Sequence, residues 1–184
     1  HYRIEVDLDP DSKSYEAKQK VEYINSSIEK LDYIYFHLYP NAYKSLETAP
    51  ILFDESLFTQ EDFEPGYMEL KDILVDNKPV NFQIEGIDDT ILKIHLPSPL
   101  KPNEKLEVYL VYEVKLPLNV DRFGYGKDVF NFGNWYPIAC VYDDKGWSLD
   151  PYYNIGDPFY SDIGNYDVII TVPEDFIVAA SGNI

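Results

Sequence analysis

Along most of this chain apolar and polar side chains alternate residue by residue, the pattern of strands with one dry face and one wet face. Tyr2, Ile4, Val6 and Leu8 alternate with Arg3, Glu5, Asp7 and Asp9. Tyr15, Ala17, Gln19, Val21 and Tyr23 alternate in the same way with Glu16, Lys18, Lys20 and Glu22. Residues 31–39 carry Ile34, Phe36 and Leu38 on one side and Tyr33, Tyr35, His37 and Tyr39 on the other. Large side chains on both faces predict a strand covered from both sides, and hence a central one.

Residues 67–75 and 80–84 predict a pair around Asp76-Asn77-Lys78, a turn-forming cluster. Residues 91–96 and 105–116 flank a Pro-rich connection, and residues 166–172 and 176–181 predict a last pair around Pro173-Glu174-Asp175. No segment sustains a helical period. The nearest candidate, residues 45–62, is interrupted by Pro50 and has room for one short helical turn. There is no internal repeat and no low-complexity linker. The expectation is a single all-β domain over residues 1–184, a large antiparallel sheet or saddle-like sandwich with long aromatic loops.

A chain of 184 residues buries a sizeable core, and its formal net charge of −18 disfavours nucleic acid and anionic membranes as partners. Cys140 is the single cysteine, which excludes an intramolecular disulfide, and its neighbours Ile138, Ala139 and Val141 predict a buried, inert thiol. No apolar run is long enough to span a bilayer. The sequence opens directly on a strand pattern without signal-peptide features. A targeting or anchoring segment upstream of His1 would decide between a cytoplasmic protein and one anchored outside the membrane.

The residues supply little catalytic chemistry. His1, His37 and His95 are scattered, with no His-Glu-x-x-His run, so no metal site is expected. His37 and His95 lie in strands that could be neighbours, where a hydrogen-bonded histidine is a better reading than a ligand. Asp143-Asp144-Lys145-Gly146 lacks the alternating oxygen ligands of a calcium loop and predicts a β-turn. With 33 acidic residues, some carboxylate pair will be close by chance, which gives a glycosidase reading no weight. There is no Gly-rich phosphate loop and no nucleophile elbow.

The stretch from Phe130 to Asp167 stands apart. It holds both tryptophans and four of the nine glycines, in the series Gly133-Asn134-Trp135-Tyr136-Pro137, Gly146-Trp147, Pro151-Tyr152 and Gly164-Asn165-Tyr166-Asp167-Val168. Tyr and Trp bring large apolar area and keep a polar end, so a loop region rich in them predicts a covering surface. Together with His37-Leu38-Tyr39-Pro40-Asn41-Ala42-Tyr43, and with the opening Tyr2–Leu8 and the late Val172-Pro173 and Val178–Gly182 runs, the series resembles the amino-terminal β-domain of the aminopeptidase N-like zinc metallopeptidases. This is the gluzincin family that includes the leukotriene hydrolases, and the likeness is closest to a bacterial branch.

The resemblance spans the whole chain and implies a non-catalytic part of a larger peptidase. Zinc and the His-Glu-x-x-His site would then belong to a catalytic domain outside these residues, with no cofactor in this part. The implied partners are that domain and the parent's peptide substrate. In the family this β-domain lends a loop to the substrate wall, where a Gln or Glu helps anchor the free amine. The matching stretch has neither, which leaves Asn131, Gly133 and Asn134 as the substrate-binding candidates. Phe130, Trp135, Tyr136, Trp147, Tyr152 and Tyr160 are the candidate residues of the domain interface. The alternatives are a carbohydrate-binding sandwich that stacks exposed Trp135, Trp147, Tyr152 and Tyr153 on sugar rings, and a purely structural interaction module. Burial separates them, because sugar binding needs a flat solvent-facing row. Residues 176–181, apolar and uncharged, are also expected to form an open edge that self-associates or frays.

Overall fold

The computed structural model describes residues 1–50, 63–153 and 159–183. β1 (Tyr2–Asp9) and β2 (Ser14–Ile24) form an antiparallel hairpin whose inward residues are buried and whose outward residues are exposed, as their alternation requires. The turn between them is held by Asp9, whose Oδ1 accepts from the amides of Asp11 and Ser12. β8 (Lys105–Lys115) pairs with the other edge of β2, and β4 (Tyr67–Val75) follows on β8. A short β5 (Lys78–Pro79) and the late β14 (Tyr166–Thr171) complete a six-stranded sheet in the order β14-β1-β2-β8-β4-β5.

A second, four-stranded sheet places β3 (Leu31–His37) between β11 (Ile138–Ala139) and β7 (Ile91–Leu100), with β6 (Phe82–Glu85) on the outer side of β7. β3 is therefore internal, and Ile34, Tyr35, Phe36 and His37 are all buried. Two small pairs remain: β9 (Phe123–Tyr125) with β10 (Phe130–Phe132), and β12 (Tyr142–Asp143) with β13 (Gly146–Trp147). The second closes over the Asp144-Lys145 turn, with the Lys145 amide bonded to Asp143 and Gly146 at φ +98°. Inward residues of both large sheets form one core, with Ile4, Val21, Leu110 and Tyr112 from one and Ile34, Phe36, Leu92 and Ile94 from the other. Each such side chain contributes on the order of 2 kcal/mol by leaving water. The outward face of the six-stranded sheet is ionic instead, with Lys105–Glu22 at 2.8 Å, Lys20–Glu107 at 3.0 Å and Lys71–Glu113 at 3.2 Å.

Three expectations are corrected. The pair predicted from residues 67–75 and 80–84 extends over two positions only, around Asp76 and Asn77, both at positive φ as a mirror-image turn requires. Pro79 offers no amide to prolong the ladder. The chain then crosses to the second sheet, where Phe82 and Ile84 lie opposite Ile94 and Leu92. The final strand pair also does not form. β14 runs parallel to β1, and residues 176–181 adopt no strand. The Phe176 amide bonds back to the Pro173 carbonyl, and its ring settles 5.7 Å from that of Phe130, which turns the segment away from β14. The open strand edge is therefore that of β14. The third correction concerns helix. The strand expected over residues 31–39 stops at His37, and a 3₁₀ segment at Tyr39–Lys44 follows it, with Pro40 in its first turn and five of its residues buried. Of the candidate helical stretch, residues 45–50 form a turn and residues 51–62 lie outside the described residues.

Candidate functional site

The candidate substrate-binding residues lie at the end of the β9–β10 hairpin and just beyond it. Residues 117–125 form a tight turn: the Tyr125 amide bonds to the Pro117 carbonyl at 3.0 Å, the Asn119 amide to the Tyr125 carbonyl at 3.1 Å, and the Asn119 side chain to the Phe123 carbonyl at 3.0 Å. Gly124 sits at φ +137°, where a side chain would meet the carbonyl oxygens of Pro117 and Asn119 at 2.6 Å. Asn131 donates its amide to the Val120 carbonyl at 3.0 Å, which ties β10 to this turn. The Gly133 amide donates to the Arg122 carbonyl at 2.7 Å, so close that a Cβ on Gly133 would lie 2.6 Å from the same oxygen. Asn134 takes a left-handed backbone at φ +54°, a conformation Asn tolerates better than most residues. All three candidates are thus brought together, each with a part in shaping the loop.

From Trp135 the chain becomes a strap between the two large sheets. Three buried side chains of the first sheet satisfy its backbone: Tyr15 donates its hydroxyl to the Trp135 carbonyl, Gln19 its amide to the Pro137 carbonyl at 2.7 Å, and the Ala139 amide donates to the Tyr2 hydroxyl at 3.0 Å. Ile138 and Ala139 then pair with His37 and Phe36, and the Cys140 amide bonds the Tyr35 carbonyl at 2.9 Å. Burial raises the ionisation of Tyr2, Tyr15 and the Cys140 thiol well above their usual ranges, so these groups stay protonated and Cys140 is unreactive. Gln19 is 0 % exposed. Its signal in the sequence is a lone amide on the apolar face of β2, legible as a polar group in need of buried partners, although the partners themselves are not.

The candidate interface residues divide between separate places. Trp135 packs edge-on against Tyr15 at 5.7 Å and Tyr136 at 5.3 Å, and Tyr136 meets Tyr2 and Tyr166. Phe130 lies between Tyr125, Phe176 and the Lys13 ammonium. These three rings border an open apolar groove of about 770 Å³, floored by Ile4, Val6, Val168 and Ile170 of β1 and β14. Trp147 sits instead beside Tyr35 at 5.2 Å and Tyr142 at 5.2 Å. Tyr152 packs on Tyr39, Tyr43 and Phe159, and Tyr160 is exposed. Of the four residues of the sugar-stacking alternative, Trp135, Trp147 and Tyr152 are partly buried against other rings, and Tyr153 is exposed.

Among the described residues no three His, Cys, Asp or Glu side chains converge as metal ligands. His1 bonds Asp167 at 2.8 Å, His95 stands edge-on to Tyr33, and His37 is buried and stacked 4.6 Å from Tyr39. Burial lowers the pKa of His37 to about 4 against the pull of Asp150, so its imidazole is neutral at ordinary pH. The two strand histidines do lie on paired strands, but His95 faces Tyr33 and His37 faces Ile91 across the ladder. These residues do not fit a zinc site.

No protein-family model matches the chain, and no curated protein matches it. Among solved structures it is similar to the M1 zinc metallopeptidase from Deinococcus radiodurans, with 14% identity and a TM-score of 0.42 over 63% of this chain and 20% of that one. A mutant of that peptidase bound to a Tyr-Ser-Ala substrate gives 14% identity and 0.43 over 71% and 23%. A two-domain M1 zinc metallopeptidase mutant bound to L-arginine gives 14% identity and 0.48 over 74% and 28%. The chain thus spans between 20% and 28% of the length of these structures. Likeness at this level assigns no activity.

Proposed function

We propose that this chain is the non-catalytic amino-terminal domain of a zinc-dependent aminopeptidase, of the kind its aromatic motifs resemble. In this reading it packs on a catalytic domain through the Phe130, Trp135 and Tyr136 side of the groove, and residues 131–134 contribute to the wall of the peptide-binding site. The zinc and the hydrolytic residues belong to the catalytic domain, and the chain alone hydrolyses nothing.

The observation that carries the reading is the asymmetry of the six-stranded sheet. Its outward face is laced with exposed ion pairs, whereas on its inward side the half-exposed Val168 and Ile170 of β14, together with residues 176–182, line an apolar groove bordered by three aromatic rings. Interface centres are rich in Tyr, Trp and Phe and poor in Asp and Glu. The groove meets that description in a chain whose net charge is −18. The 131–134 loop is rigidly buttressed, which suits a wall that must keep its position as substrates come and go.

The test is steady-state kinetics of the full-length gene product on aminoacyl anilides, with zinc measured by elemental analysis. The expected result is zinc-dependent turnover, with Asn131→Ala raising KM far more than it lowers kcat. Absence of turnover in the zinc-loaded product, or an unchanged KM in a folded Asn131→Ala variant, would overturn the proposal.

A further inference from the structure

Gln19 is an anomaly in an otherwise apolar face. It is fully buried on β2, in the middle of the six-stranded sheet, among Tyr15, Ala17 and Val21. Both ends of its amide are used: Nε2 donates to the Pro137 carbonyl at 2.7 Å, and Oε1 accepts from the Tyr112 hydroxyl of β8 at 3.1 Å. Tyr112 lends rigidity to this arrangement, being itself 1% exposed. Pro137 has no amide hydrogen, so the strap cannot pair through it in the ordinary way, and its carbonyl would be an orphan without Gln19. The bond is placed midway along the strap, between the Tyr15 bond to Trp135 and the backbone ladder that begins at Ile138.

We infer that Gln19 is a positioning residue which, braced by Tyr112, sets where the strap starts and so where the Asn131–Asn134 loop stands. It acts through Pro137 and touches no substrate. Two neighbouring features couple the loop to this anchor. The Gly133 amide is bonded to the Arg122 carbonyl at 2.7 Å, and Trp135 packs between Tyr15 and Tyr136. A displacement of Pro137 is therefore handed on to residues 131–136 instead of being absorbed. Only the final step, an effect on substrate, rests on the peptidase reading.

The experiment uses the chain with Trp147→Phe, so that Trp135 is the sole tryptophan, and reads its fluorescence together with the amide resonances of residues 131–136. Gln19→Leu removes both hydrogen bonds at similar volume. It should red-shift Trp135 emission and displace the 131–136 resonances, while resonances of β6 and β7 keep their positions. Gln19→Glu distinguishes positioning from general stability. A protonated carboxyl can donate to Pro137 and accept from Tyr112, whereas a carboxylate cannot donate. Its loop signals should therefore return to the wild-type positions as the pH is lowered through the pKa of the buried acid, which burial raises above the usual carboxylate range. Loop signals of both folded variants at wild-type positions at every pH would overturn the inference, as would a Gln19→Glu loop with no pH dependence. In the full-length product, the same variant should raise KM for aminoacyl anilides in step with the loop signals. Loop signals that move while KM stays constant would uphold the positioning role and overturn the substrate-wall reading.

Discussion

Acidification should unload a defined part of this fold through His37. The imidazole is 2 % exposed, stacked on Tyr39, and its Nδ1 has no hydrogen-bond partner among the described residues. Burial is the main reason its pKa falls to about 4, and the Asp150 carboxylate and the Ser148 backbone only partly oppose it. Holding the ring neutral down to about 4 instead of the ordinary 6.5 corresponds to about 3 kcal/mol between the protonation states. The sign follows from linkage. The unfolded chain takes up the proton near 6.5 and the folded chain resists it until about 4, so stability falls as pH drops through that window. By about pH 5 some 2 kcal/mol should be gone. Exposed carboxylates titrate there too, so the informative quantity is a difference. Urea midpoints of the wild type and of His37→Phe should be compared from about pH 7.5 down to pH 5, above the isoelectric point of about 4.3. The variant's disadvantage at pH 7.5 should shrink by about 2 kcal/mol at pH 5. Parallel stability curves for the two proteins would refute the reasoning.

Other expectations follow from the loop and the groove. Gly133→Ala places a Cβ against the Arg122 carbonyl and should destabilise the chain by roughly 1–3 kcal/mol, read as a lower urea midpoint; an unchanged midpoint would show that the loop yields freely. Trp135→Ala removes one packing partner from each of Tyr15, Phe132 and Tyr136 and should cost the isolated chain about 2–3 kcal/mol. If the chain docks on a catalytic domain as proposed, the same change in the full-length product should also weaken that docking by on the order of 2 kcal/mol, measured as domain dissociation, and equal losses in the two settings would place Trp135 away from the proposed interface. The outer edge of β14 carries Val168, Ile169 and Ile170 with no proline or bulge, so the isolated chain should self-associate there, more strongly at high salt as the charge of −18 is screened. Sedimentation that stays monomeric from low to high salt would count against that.

The sheets were legible wherever one face of a strand is wet, because the alternation in β1, β2 and β8 is imposed by a single buried side. The hydrophobic pattern does not say which sheet a strand joins. Residues 67–75 and 80–84 both alternate, yet Pro79 divides them between two sheets. The parallel pairing of β14 with β1 was equally hidden, since it joins residues more than 160 positions apart through backbone contacts that leave no local mark. The aromatic series was visible as a covering element. Its bridging of the two sheets was not, because that depends on Tyr2, Tyr15 and Gln19, whose hydrogen bonds are set by the distant packing of the sheets. The motif resemblance alone makes Asn131, Gly133 and Asn134 substrate-contact candidates. The part of Asn131 and Gly133 in shaping the loop is visible only in the carbonyls of Val120 and Arg122 beside them, and that of Asn134 in its left-handed backbone.

Amide hydrogen exchange of the full-length gene product, with and without a saturating aminoacyl hydroxamate inhibitor, tests the central claim most directly. If residues 131–134 form part of the peptide-binding wall, their exchange should slow on inhibitor binding, while the amides of β4 and β6 keep their rates. Full inhibition with unchanged exchange across residues 131–134 would contradict the claim.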